Sequence, residues 1–260
     1  MNELQLVVFL VFGIFITPIL NTIAIQWDNR LSPAYPPTYC TSGTHLASRW
    51  SIMTIPAILS QTRRQCSTCG NGTWWRYAIA EPITGLLFVY SAYYFGFTPE
   101  LIVSLVFISV LVIIVQTDLT AMIIPNKVVF PAVALMLVFR LFIHPMSIGT
   151  YLWGAIAGSG ALLLIGLLSG WMFKKESVGG GDIKLYVFIG LVLGVKLTLL
   201  SLFLASIAGL IGGVALLLAG RYAKGMTIPF GPYIAVGSVA AYWWGEPLVQ
   251  SYLRFAGFAG

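Results

Sequence analysis

Charge is what this sequence lacks. Lys, Arg, Asp and Glu make up 8% of its 260 residues, against roughly 25% in an ordinary soluble domain. Acids are the scarcest, eight against 14 Lys and Arg, and there are two histidines and three cysteines. With 58% of the residues hydrophobic and a mean hydropathy of +0.91, no soluble core could hide the apolar surface, so the solvent is a lipid bilayer. Low-complexity segments and internal repeats are absent too. So is a basic region ahead of the first apolar run, where Glu3 is the only early charge; this points to a retained signal anchor instead of a cleaved signal peptide. The net charge of +6 would suggest nucleic acid only if the basic residues formed one patch. They lie between apolar runs instead, which makes them topology signals.

What is there, in place of charge, is a series of apolar runs. A transmembrane helix needs about 20 mostly apolar residues. The runs at 5–26, 77–97, 101–117, 127–144, 150–173, 184–199, 200–220 and 228–247 predict an all-α polytopic membrane protein with about eight transmembrane helices. An N-out, C-out orientation puts Arg30, Arg49, Arg63, Arg64, Arg76, Lys127, Lys174, Lys175, Lys184, Arg221 and Lys224 on the inner side. Only Arg140, Lys196 and Arg254 then fall outside. The opposite orientation reverses this ratio, so the positive-inside rule selects N-out, C-out. Most connections are short. The exception is a cytoplasmic loop of about 27–76 between the first two helices, rich in Pro, Ser, Thr and Arg, which holds all three cysteines. A polar loop of that length has a function or is disordered, and disulfides are not expected in the cytoplasm. Glycines at 154–170 and 205–220 read as close helix packing.

Two of the rare acids flank apolar helices on the inner side: Asp118 in LVIIVQTDLTAMIIPN and Asp182 in GGGDIKL. A carboxylate at such a position is costly to desolvate and implies a task or a partner. Both lie where a span meets the cytoplasmic interface, at one depth. Two carboxylates meeting in a semi-dry site share one proton. One can then act as general base on a water while the other protonates a scissile carbonyl, which is aspartyl protease chemistry without a metal. Glycines at 179–181 would let a substrate backbone approach closely. The plainer reading has Asp182 capping the helix that starts near Ile183, and Asp118 paired with Lys127 or Lys184. GGGDIK lacks the Lys-Ser/Thr ending of a phosphate-binding loop. A polytopic proton-coupled transporter using the two acids is the alternative from another class. It would place acids at mid-span and repeat its halves.

GGGDIKLYVFIGLVLG resembles the second active-site motif of the prepilin peptidase (type IV leader peptidase) family, membrane aspartyl proteases of the GxGD class. TDLTAMIIPN, with Pro125, resembles the first motif. IPFGPYIAVG resembles the last-helix signature. CSTCGNGTWWRYAIAEPITGLLF, which contains Glu81, resembles the series at the second helix, and Phe15–Asn21 the amino-terminal segment. The resemblance implies a bacterial inner-membrane, multi-pass enzyme with an N-terminal region, 1–97, that is methyltransferase-like, and a peptidase region, 98–260. It implies that Asp118 and Asp182 carry proteolysis, supported by Gly179, Gly181, Lys184 and Pro125, and that Glu81 is associated with methyl transfer. Its partners would be prepilin or pseudopilin precursors, whose short basic leader is removed at the cytoplasmic face; S-adenosylmethionine would then methylate the new N-terminus. The departures fall in the methyltransferase-like region. Gly43 stands where the family's first Cys-x-x-Cys pair has its second Cys, and Thr17 and Pro18 replace small residues. A peptidase without methyltransferase activity therefore stays open. Cys40, Cys66 and Cys69, with His45 as candidate fourth ligand, could hold a structural zinc; a metal-free loop is the equal alternative.

Overall fold

The computed structural model describes residues 2–26, 74–173, 179–220 and 228–257. Those residues form seven helices and no strand, grouped into two compact units, Met1–Ala121 and Met122–Gly260.

The first unit holds α1 (Glu3–Gln26), α2 (Trp74–Phe95) and α3 (Pro99–Ala121). Helices α1 and α2 meet through glycine. A Cβ on Gly13 would lie 2.7 Å from Gly85 Cα, and one on Gly85 would lie 3.0 Å from the Leu10 carbonyl oxygen. Missing side chains at both positions let the two backbones touch, the packing mode that substitutes for hydrophobic association inside lipid. Phe12 against Phe88 and Phe9 against Phe97 continue the seam in antiparallel register. Helix α3 docks on α2 through a buried hydrogen bond from Ser104 Oγ to Ser91 Oγ, 2.8 Å.

The second unit holds α4 (Asn126–Phe142), α5 (Ile148–Phe173), α6 (Gly180–Leu218) and α7 (Gly231–Phe255). Glycines again fix the crossings. Gly154 would strike Gly190 and Gly194, Gly237 would strike Ser201 and Ala205, and Gly212 would strike Tyr233. Of the glycines in 154–170 and 205–220 expected to pack closely, Gly154, Gly158, Gly209 and Gly212 do so, whereas a Cβ on Gly160, Gly170, Gly213 or Gly220 would meet nothing.

Helix α6 is not straight. At Gly194 the backbone leaves the helical region, with φ 71° and ψ 175°, a conformation that glycine alone adopts cheaply. A Cβ on Gly158 would touch both Thr198 Cγ2, at 2.5 Å, and Tyr186 Cδ1, at 3.1 Å. In a straight helix those two residues would be about 18 Å apart along the axis. The chain therefore doubles back at Gly194. The break leaves the last carbonyls of the first arm without helical donors. Arg140 supplies two of them: its Nε donates to Leu191 O (3.0 Å) and one terminal nitrogen donates to Val192 O (2.6 Å), while the other donates to Ile143 O at the end of its own helix (3.2 Å). The guanidinium also lies 4.1 Å over the Tyr151 ring. Arg140 is 1% exposed, so it is a buried structural cation.

Two expectations need correction. The runs at 184–199 and 200–220 correspond to the two arms of α6, but the break between them falls at Gly194, not near 199. The reversal needs only glycine geometry and a donor from another helix, so no polar loop marks it. Four of the seven helices, α1, α3, α5 and α6, are long and apolar enough to cross a membrane, short of the eight expected. Helix α4 is too short at 17 residues, and polar or charged residues such as Glu81 in α2 and Glu246 in α7 dilute the apolarity of the other two.

Replacing Arg140 with Met should lower stability by about 2–4 kcal/mol, the cost of leaving two buried carbonyls unpaired. Arg140→Lys should recover little, because an ammonium lacks the planar fork that reaches both oxygens. Thermal unfolding of the purified protein in detergent measures both; equal stability of wild type and Arg140→Met would show that the reversal holds itself.

Candidate functional site

In the second unit, the tail of the first motif meets the turn of the second. Gly179 stands just before α6 in extended conformation (φ −68°, ψ 132°). Its carbonyl accepts from the Asp182 N–H at 3.0 Å, so Asp182 sits in the first turn, where the helix dipole favours a carboxylate. The three glycines differ in what they do. A Cβ on Gly179 would stand 3.3 Å from Asp182 Oδ2, a Cβ on Gly181 would lie 2.8 Å from Ile124 Cβ, and one on Gly180 would meet nothing. Gly181 is thus the glycine that packing requires. Ile124 belongs to the Ile-Pro-Asn segment that leads into α4, with Pro125 as its extended N-cap (φ −73°, ψ 127°). Asn126 of the same segment accepts a hydrogen bond from Lys184 Nζ, 3.0 Å, through Oδ1, and Lys184 also lies 5.8 Å from the Phe130 ring centre. The tail of the first motif therefore packs on the second. Asp182 is half-buried.

Asp118 lies in the first unit, in the last turn of α3, and is 6% exposed. The chain leaves that helix through Met122, a non-glycine residue with φ 54°. Such backbones are rare and cluster at functional sites. Other polar residues are buried in the same unit: Thr17, Asn21, Glu81, Thr84, Gln116 and Thr117. The two threonines at 17 and 84 satisfy themselves on carbonyls one turn back, Gly13 O at 2.6 Å and Ala80 O at 2.8 Å. Glu81 is 1% exposed. Asn21 and Gln116 were not singled out as site residues by sequence reasoning. An amide inside an apolar run is the signal that could have found them.

The candidate metal ligands Cys40, His45, Cys66 and Cys69 lie outside the described residues. Among the described residues no group of three or more His, Cys, Asp or Glu could hold a metal ion.

With the motifs placed, comparison with known proteins is decisive. The profile of the type IV leader peptidase family matches residues 105–214, and that of the bacterial peptidase A24 N-terminal domain matches residues 11–95. A prepilin leader peptidase/N-methyltransferase of Bacillus subtilis is 33% identical over 252 residues, covering 97% of this chain and 99% of that protein. The chain belongs to the type IV leader peptidase family. Proteins of the same name from Stutzerimonas stutzeri and Pseudomonas aeruginosa are each 32% identical, over 85% and 86% of this chain and 76% and 77% of their own lengths. No solved structure matches the chain. As a leader peptidase the protein is a membrane hydrolase, and the apolar helices of both units are what embed it.

The Gly181 contact can be tested directly. Gly181→Ala should reduce leader-peptide cleavage at least tenfold, since the new methyl group displaces Ile124 or the start of α6. Shortening the neighbour, as Gly181→Ala with Ile124→Ala, should recover most of the loss. Cleavage of a precursor peptide by purified protein reads both; unchanged activity of Gly181→Ala would mean that α6 can shift without harm to the site.

Proposed function

We propose that the protein removes the short basic leader of prepilin-like precursors at the cytoplasmic face of the bacterial inner membrane, using Asp118 and Asp182 as a pair. The observation that carries this reading is 33% identity over 97% of the chain with a protein named prepilin leader peptidase/N-methyltransferase, in a chain whose two motifs each hold an acid at a helix end. In the reaction, one carboxylate takes a proton from water as the oxygen attacks the scissile carbonyl. The other protonates the carbonyl oxygen. The tetrahedral intermediate then collapses as the amide nitrogen gains a proton and leaves. No covalent enzyme intermediate is needed. Gly179, Gly181, Pro125 and Lys184 shape the turn around Asp182, and the Lys184–Asn126 bond supports a structural task for that lysine. The bias of basic residues supports N-out, C-out, with the two arms of α6 as separate crossings.

The same reading assigns residues 1–97 to methyl transfer and 98–260 to proteolysis, in accord with the two profile matches. S-adenosylmethionine would supply the methyl group for the new α-amino group, with Glu81 as the associated acid. Cys40, Cys66 and Cys69 with His45 offer three thiolates and an imidazole, the donor set of a closed structural zinc site. Such a site would order a loop poor in apolar residues, because metal binding is coupled to folding.

Asp118→Asn and Asp182→Asn should each abolish cleavage while the protein stays folded in the membrane. Co-expression with candidate precursors, followed by mass spectrometry of the mature N-terminus, reports cleavage and methylation together. Near-normal processing by either variant removes that residue from the chemistry. For the loop, elemental analysis should find about one zinc per chain, reduced by Cys66→Ser and by His45→Ala. Full zinc in His45→Ala would exclude the histidine, and no zinc in protein purified without chelator would remove the site.

A further inference from the structure

Two helix contacts set the depths of the buried polar residues in the first unit. Gly13 faces Gly85, and α1 and α2 run in opposite directions. Eight residues on from Gly13 is Asn21, and eight residues back from Gly85 is Tyr77. Ser104 bonds Ser91 across α2 and α3. Fourteen residues back from Ser91 is again Tyr77, and fourteen on from Ser104 is Asp118. With equal rise per residue in all three helices, Asn21 and Asp118 share one depth. Gln116 lies about 3 Å above Asp118 by the same rise.

Asn21 is 2% exposed and Gln116 4%. Neither Asn21 Oδ1 nor Nδ2 has a hydrogen-bond partner among the described residues, and Gln116 Oε1 has none either. Leaving a buried polar atom unpaired costs about 1–3 kcal/mol, more where lipid replaces water. Simple packing would be served better by Leu and Met at these two positions. One spare amide donor and two spare acceptors at the depth of a peptidase carboxylate match one ligand chemistry, an extended peptide main chain. A peptide bond must leave its helix to be attacked, and the main-chain N–H and C=O groups it frees need new partners. A carboxamide offers both an acceptor for a main-chain N–H and a donor for a main-chain carbonyl.

We propose that the side-chain amides of Asn21 and Gln116 bind the unwound main chain of the precursor beside Asp118. The proposal rests on the peptidase reading above and adds to it substrate-binding residues from α1 and α3. It draws the amino-terminal helix into peptide cleavage.

The test uses the full-length protein in detergent and a synthetic precursor with a basic leader and an apolar mature start. Asn21→Leu and Gln116→Met should each lower kcat/KM about tenfold, the size of one hydrogen bond of 1.4 kcal/mol. Their thermal midpoints should stay level or rise, because each removes an unpaired buried atom. A series of precursors carrying one N-methylated peptide bond each should contain a position whose loss in wild type disappears in one of the variants. Undiminished cleavage by both variants would overturn the proposal. So would a fall in midpoint that tracks the fall in activity, or N-methyl losses identical in wild type and variants, since either marks a structural role. Wild type that leaves the precursor uncut would overturn the peptidase reading itself, which separates that failure from this one.

Discussion

The second unit depends on one guanidinium. Arg140 reaches from α4 to the carbonyls of Leu191 and Val192, and these are the groups that the reversal at Gly194 strips from the helical ladder. In lipid no water can take their place. A charge in this position would itself be costly, but three carbonyl partners and the Tyr151 face compensate it. The planar fork suits two adjacent carbonyls as no other side chain does. Because the reversal is held, the first arm of α6 packs on α5 through Gly154 and Gly190, and the second packs on α7 through Gly237. The start of α6, with Asp182, is then presented at the end of a braced arm.

Glycine does two separate jobs in this molecule. At Gly194 it supplies a backbone angle, φ 71°. At Gly13, Gly85, Gly154, Gly181 and Gly190 the backbone is ordinary and the missing Cβ is what counts, since each would collide with a neighbouring chain or with Ile124. The second job explains how helices with so little polar surface find specific partners. Lipid is as apolar as leucine, so association is decided by how closely backbones approach.

Polar burial in the first unit follows a different logic. Thr17, Thr84, Ser91 and Ser104 are paired, on carbonyls or on each other, and so cost little. Asn21 and Gln116 hold atoms without partners among the described residues, at the level of an acid. A three-helix unit that satisfies its hydroxyls and leaves its amides open has the composition of a binding surface, not of a core.

Several features were legible in the sequence because they are local. Hydropathy marked helices within a few residues at 77–97, 101–117, 127–144 and 150–173, where the structure has 74–95, 99–121, 126–142 and 148–173. Scarcity drew attention to Asp118 and Asp182, since an acid beside an apolar run is conspicuous. The helical class and the membrane as solvent follow from composition alone. What only the tertiary structure decided are the relations between distant positions. The reversal at Gly194 leaves no compositional trace, because its carbonyls are satisfied by a residue 51 positions away in sequence and not by a polar loop. Arg140 reads as a surface charge until its partners are seen. Asn21 and Gln116 acquire meaning only once Gly13 against Gly85 and Ser91 against Ser104 set three helices in register, since depth along a helix is shared by contact between chains and is written in none of them singly.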